Sequence, residues 1–273
     1  MIDLSKLSGL LVSWSRSTEK LLLGEGLVEV EPDVRLRQGM AEVLFNPQSD
    51  DLDELYYMYR GVAREEDREG IRSRGLRYDI TVIRSGTLGN EYIKTAGHYH
   101  PLKPGTPVTY PEVYEVLHGR AHYLLQRPCP DHIDQIELII LITARPGDKV
   151  LIPPGFGHIT INSGDDILIM SNWVAAEFSS VYEPYRSQGG GGYFELQGDG
   201  GSEFVPNNRY RRLPPLHRSP VATYPEFNLI TGLPIYRVYQ NEPGSLDYLV
   251  NPENYQEQFA EYLKTISPGA DKE

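Results

Sequence analysis

The sequence predicts an all-β fold, a sandwich or barrel of short strands. Two observations carry this. About eight short runs rich in β-branched and aromatic residues lie between residues 76 and 174, each bounded by turn residues. The 273 residues also include 26 glycines and 21 prolines, too many breakers for a long helical bundle. The length allows one or two domains, and a barrel can absorb it as one.

Residues 1–44 read as a flanking segment, with a short helix expected over 19–23. Residues 63–75 (AREEDREGIRSRG) read as a charged loop or a short exposed helix. The barrel is expected over 45–185. Within it, 78–83 reads as a strand, and 113–117 and 121–126 read as a hairpin turning at Gly119 and Arg120. Residues 136–143 are almost wholly apolar, as in a buried strand. Three further short runs (150–152, 159–161, 167–170) are separated by Pro153-Pro154-Gly155 and Asn162-Ser163-Gly164-Asp165. Residues 186–205, with four consecutive glycines from Gly189, read as a flexible loop. Within the C-terminal extension, 206–273, residues 206–250 are Pro- and Tyr-rich and are expected to wrap the surface in extended form. The extension should end in an amphipathic helix started by Asn251 and Pro252. Tyr255, Phe259, Tyr262, Leu263 and Ile266 form one apolar stripe there, a docking face.

Lys and Arg total 26 against 38 Asp and Glu, a net charge of -12. That argues against a general nucleic-acid binder, which needs clustered cations. It leaves room for a small phosphorylated ligand at a local site. Cys129 is the sole cysteine, so no intrachain disulfide forms, as expected in a reducing compartment. No apolar run approaches a membrane span, and the N-terminus lacks a signal-peptide pattern. The expectation is a cytoplasmic protein with no membrane partner.

Four residues suggest chemistry. His98 and His100 are two apart, so on a strand they share a face. His158 follows a Pro-Pro-Gly turn, and Glu112 stands six residues before Gly119. Together they offer three imidazoles and one carboxylate from separate strands, a donor set for one metal ion. His118, His122, His132 and His217 fall outside this pattern and read as surface or structural.

The spacing Gly147…Pro153-Pro154-Gly155…His158…Asn162 resembles the second cupin motif, and His98, His100, Glu112 and Gly119 resemble the first. Tyr92 replaces the usual first-motif glycine, and residues 101–111 form an insert read as a loop at the barrel mouth. The stretches 81–83, 89–100 and 111–119 are more specific. They resemble the cupin-type glucose-6-phosphate isomerases over roughly residues 45–185.

The resemblance implies a cupin barrel (a double-stranded β-helix) and an aldose–ketose isomerase interconverting glucose 6-phosphate and fructose 6-phosphate. It implies one divalent metal ion per chain, held by His98, His100, Glu112 and His158. Iron is the first choice, with Mn, Ni, Co or Zn as alternatives. Thr81, Thr95 and Gly97 fall where the family binds the sugar phosphate. Tyr114 and Tyr182 fall near tyrosines that line the active site, with Tyr56 a looser third. Glu112 is the candidate base, and Tyr182 joins it as a catalytic residue. Ser180 stands where some members have a histidine. A homodimer is also implied. Thr95 presents a difficulty, because it lies three residues before His98 and so on the opposite strand face unless Ala96-Gly97 bends the chain. A metal-dependent cupin oxygenase and a non-catalytic sugar-binding cupin are the alternatives.

Overall fold

Strict alternation along four neighbouring strands builds the floor of a cavity. The residues turned inward are Tyr56, Met58 and Arg60 on Glu54–Arg60, and Arg77, Asp79 and Thr81 on Leu76–Ile83. Met170, Asn172 and Val174 follow on Leu168–Ala175, and Glu112 and Tyr114 on Glu112–His118. The period of two is the one a pleated strand imposes. The computed structural model describes residues 1–48 and 52–267.

These strands belong to a six-stranded antiparallel sheet. Its order is Lys149–Ile152, Glu112–His118, Leu168–Ala175, Leu76–Ile83, Glu54–Arg60 and Asp33–Leu36. A second sheet runs Gly157–Asn162, Ala121–Cys129, His132–Ala144 and, in parallel, His217–Ser219. Tyr123 of the second sheet reaches across, its ring 5.3 Å from that of Tyr114 and its hydroxyl donating to Met170 sulfur at 3.4 Å. The two layers close into the cupin barrel that the sequence predicts.

Several local expectations are corrected. Residues 113–117 and 121–126 do not pair as a hairpin. Gly119, at φ +84°, turns the chain from one sheet into the other. A Cβ there would meet the Ile167 carbonyl oxygen at 2.5 Å, so the corner needs glycine. Residues 19–23 form no helix. Lys20–Leu23 is a strand that pairs with Val12–Ser15. The 63–75 stretch contains a short helix, Arg68–Ser73.

The 186–205 segment is not a flexible loop. Gly189 to Gly192 are buried, and Tyr193–Gly198 pairs with Gly201–Pro206 as a hairpin. A Cβ on Gly191 or Gly192 would meet Ile159 or Leu213 side chains at 2.7 and 2.6 Å, so these glycines serve close packing.

The extension after 206 is mainly turns and short helices rather than extended chain, and it buries Tyr236, Tyr248 and Leu249. Glu115 and Trp173, on the outer face of the six-stranded sheet, anchor it. Glu115 accepts from Ile235 N at 2.8 Å, and Trp173 Nε1 donates to Ile235 O at 2.8 Å. The last helix is Gln256–Ile266, preceded by a 3-10 turn, Pro252–Tyr255. Asn251 makes no side-chain cap and instead bonds Asp247 and Lys103. The stripe is a docking face as expected: Phe259, Tyr262 and Ile266 are buried, Phe259 stacks on Phe227 of the extension itself, and Tyr262 reaches the Leu151 carbonyl of the barrel.

Candidate metal centre and cavity

His98, His100, Glu112 and His158 converge, with one donor atom from each lying within 4.8 Å of all the others. Glu112 comes from the start of its strand, and His158 from the strand that follows the Pro153-Pro154-Gly155 turn. His98 and His100 lie in residues 93–100, which form no continuous strand. The segment still bonds along Gly157–Asn162: His98 N donates to His158 O, and His158 N to His98 O.

Within that ladder Lys94 lies opposite Ile161 and His98 opposite His158. Four steps on one side match three on the other, so one extra residue is inserted, a β-bulge. It falls at Ala96-Gly97, and Gly97 takes φ +75°. The extra residue returns Thr95 to the side occupied by His98 and His100, and all three line the same cavity. This removes the difficulty that simple alternation posed for Thr95.

The donor geometry fits a metal ion. Metal–ligand distances of 2.0–2.2 Å put adjacent donors about 3.0–3.5 Å apart. His98 Nε2 to His100 Nε2 is 3.2 Å, His100 Nε2 to Glu112 Oε2 is 3.2 Å, and His158 Nε2 to Glu112 Oε2 is 3.4 Å. Glu112 Oε2 is buried and has no hydrogen-bond partner among the described residues. His100 Nδ1 donates to the Tyr110 carbonyl at 2.8 Å, which leaves Nε2 with its lone pair aimed at the cluster. Asn172 Nδ2 donates to Glu112 Oε1 at 2.6 Å and so turns Oε2 toward the histidines.

Charge agrees with this. Burial would raise the Glu112 carboxyl, but His100 and His158 beside it hold it well below the usual carboxylate range. Burial lowers His98 far below its ordinary value, with His158 and His100 adding to the effect. Burial likewise lowers His158. Three imidazoles and one carboxylate carrying a single negative charge suit a divalent cation.

The cavity above the cluster encloses about 380 Å³. Thr81, Thr95 and Gly97 line it, as do Tyr56, Tyr114, Ser180 and Tyr182, so the structure brings together every residue the sequence singled out. Their situations differ. Thr95 Oγ1 accepts from Thr160 N at 3.0 Å, so part of its capacity is used in the fold. Tyr56 is buried, and its hydroxyl accepts from Ala96 N at 3.3 Å, inside the bulge. Tyr114 places its hydroxyl 3.1 Å from His158 Nε2. Burial, reinforced by Glu112, holds the Tyr114 phenol well above its ordinary value, so it stays protonated. The Tyr182 ring lies tilted beside that of His98, with centroids 5.6 Å apart, under the guanidinium groups of Arg35 and Arg186.

Sequence reasoning missed Asn172, Phe178 and a charged group at the cavity's far end. Phe178 covers His100, ring centroids 4.6 Å apart, and stacks on Tyr110. Asp79 is buried and takes Arg77 Nε on both oxygens at 2.9 and 3.0 Å, with Arg60 Nη1 at 3.9 Å. Asn172 left one readable signal, a lone amide in a strand whose other residues, Ser171 apart, are apolar. Phe178 sits just after the strand Leu168–Ala175, where no periodicity marks it.

The chain is 32% identical over 135 residues to glucose-6-phosphate isomerase of Thermococcus litoralis and 30% identical to that of Pyrococcus abyssi. Each match covers 50% of this chain and spans 62% of the relative. Among solved structures, a variant of Bacillus subtilis oxalate decarboxylase aligns over 47% of this chain and 28% of its own. It does so at 17% identity and a TM-score of 0.33. The family model for glucose-6-phosphate isomerase matches residues 37–211, which include all four donors and the whole cavity floor, and the chain belongs to that family.

Proposed function

We propose that this chain interconverts glucose 6-phosphate and fructose 6-phosphate at a divalent metal ion held by His98, His100, Glu112 and His158. The observation that carries the reading is the four-donor cluster opening into a cavity lined by Thr81 and Thr95, in a chain of this family. When bound, the ion supplies Lewis-acid polarisation of the sugar's oxygens.

The protein's own groups do the rest. Thr81, Thr95 and the backbone at Gly97 take the phosphate and fix the open chain with C1 and C2 toward Glu112. Glu112 cannot be a firm donor and a base at once: freed from the donor set on substrate binding, its carboxylate accepts the proton from the carbon beside the carbonyl and returns it to the neighbouring carbon, whereas if it stays in the set the hydrogen moves as a hydride. Asn172 holds that carboxylate in place. Tyr182, beside His98, donates its proton to the carbonyl oxygen and recovers one from the neighbouring hydroxyl, and Phe178 screens the centre from water. Iron is the first assignment for the metal, with Mn, Ni, Co and Zn compatible with the same donors.

A coupled assay on fructose 6-phosphate, with and without chelator and with oxygen uptake recorded, tests the activity. Turnover lost on chelation and restored by a divalent ion supports it. Oxygen uptake without isomerisation would assign an oxygenase, and full turnover in a metal-free sample would sink the metal reading. In deuterium oxide, solvent deuterium in the product would establish proton transfer through a base, whereas full retention is the outcome of a hydride shift and equally of a screened base that returns the same proton.

The assembly we propose is a homodimer. Asp33–Leu36 is a free edge of the six-stranded sheet and exposes Val34 and Leu36, a kind of edge that a second strand can cover. Light scattering should give twice the 30.9 kDa chain mass, and a monomer at micromolar concentration refutes the dimer alone.

A further inference from the structure

A second cleft, of about 540 Å³, lies behind the charged end of the catalytic cavity. Four arginines line it, Arg60, Arg68, Arg72 and Arg77, against two glutamates, Glu29 and Glu31. Arg68 and Arg72 are four apart on the Arg68–Ser73 helix and so share one face. Like charges at that spacing repel and destabilise a helix. Among the described residues neither guanidinium has an ion pair, although both line a cleft whose wall also carries two carboxylates. The rest of the wall includes Val28, Val30 and Ile71, with Tyr78 beneath.

We propose that this cleft binds a nucleoside monophosphate. Arg68 and Arg72 take the phosphate, for which a guanidinium fork is well shaped. The valines and Ile71 cover the base, and Glu29 and Glu31 accept from the ribose hydroxyls.

The site is coupled to the catalytic cavity by a shared wall, because Arg60 and Arg77 line both. Asp79 lies between them and the metal-centre floor, in register with Asn172. Arg77 is held by Asp79, and Arg60 by Asp33 and Asp79, so an anion in the cleft competes with Asp79 for the two guanidinium groups and changes the charge that faces the substrate across that wall. The two ligands therefore antagonise each other, and the antagonism is reciprocal. The coupling rests on the isomerase reading, whereas the binding site does not.

The test titrates AMP into the metal-loaded protein by calorimetry, for the wild type, for Arg68→Gln/Arg72→Gln and for Thr81→Val. Both arginines are exposed, so the double variant should fold, and its melting curve checks that. We expect saturable binding to the wild type, weakened at least about tenfold in the double variant by loss of charged hydrogen bonds. Thr81→Val should bind AMP as the wild type does. AMP should raise KM for fructose 6-phosphate in the wild type and hardly at all in the double variant, whose turnover without AMP stays normal. Equal AMP affinity in the wild type and the double variant, or no binding to the wild type at millimolar AMP, overturns the site. Binding lost in Thr81→Val but kept in the double variant would place AMP in the catalytic cavity and overturn it equally. AMP binding at the arginines with KM unmoved would overturn the coupling.

Discussion

Asn172 touches no donor nitrogen, yet it decides which way Glu112 faces. Asn172→Ala should leave the fold intact and weaken metal binding about 10- to 100-fold, the usual effect of removing a group that orients a ligand. Metal content after dialysis and the melting shift on metal addition measure it. A variant that keeps wild-type metal affinity would remove Asn172 from the centre. Thr81 makes a different case, because it belongs to no donor set. A hydrogen bond to a charged phosphate contributes roughly 1.5–3 kcal/mol. Thr81→Val should therefore lower kcat/KM about 10- to 100-fold at unchanged metal content. Thr95→Val also forfeits the bond from Thr160 N, so its loss of activity should come with a lower melting temperature. Wild-type kcat/KM in both variants would move the phosphate elsewhere.

The bulged segment 93–100 is the element on which the cavity depends. Gly97 combines φ +75° with a would-be Cβ 2.6 Å from the Ile159 side chain and 3.1 Å from the Tyr185 ring. Gly97→Ala meets both strain and overlap, each costing about 1–3 kcal/mol. We expect a lower melting temperature and lower metal occupancy together. A stable variant with full occupancy would show that the bulge tolerates a side chain.

The same element marks how far the sequence could be read. His98, His100, Glu112 and His158 were legible because motif spacing fixes them against turns whose glycines and prolines are visible in the text. The Ala96-Gly97 pair announced a bend, but alternation alone could not say that the bend inserts one residue. The 113–126 stretch reads as a hairpin because a glycine between two β-rich runs is the local signature of one. Only the partners of each strand, distant in sequence, show that the chain changes sheets there. Gly189 to Gly192 misled for a related reason, since glycine serves close packing as well as freedom and composition does not separate the two.

Across the whole molecule, the C-terminal extension is fastened to the barrel by buried polar groups. Glu115 pairs with Lys149 at 2.9 Å and accepts from Ile235 N, all three buried. Burial raises the Glu115 carboxyl from 4.5 to about 7 against the opposing pull of Lys149 and the Ile235 N–H. A carboxyl raised on folding stabilises the fold while both states hold the proton. That contribution is present below pH ~4.5 and is lost as the pH climbs toward 7, because the unfolded chain gives up its proton first. Glu115→Gln should flatten the fall in stability over that window, as read by denaturant melts at several pH values. An unchanged slope would assign the pH dependence to other groups.

The extension also holds the 101–111 insert. Lys103, in the 101–111 insert, donates to Asn251 Oδ1 at 2.7 Å and Glu253 Oε1 at 2.6 Å, while Tyr262 of the last helix bonds the Leu151 carbonyl at 3.4 Å. Insert and extension are far apart in the gene but meet in the fold. Each leaves the other's polar groups without partners if it is lost, so the two should be inherited together. Relatives that lack the tail should carry a shorter insert, or a residue other than lysine at this place in it.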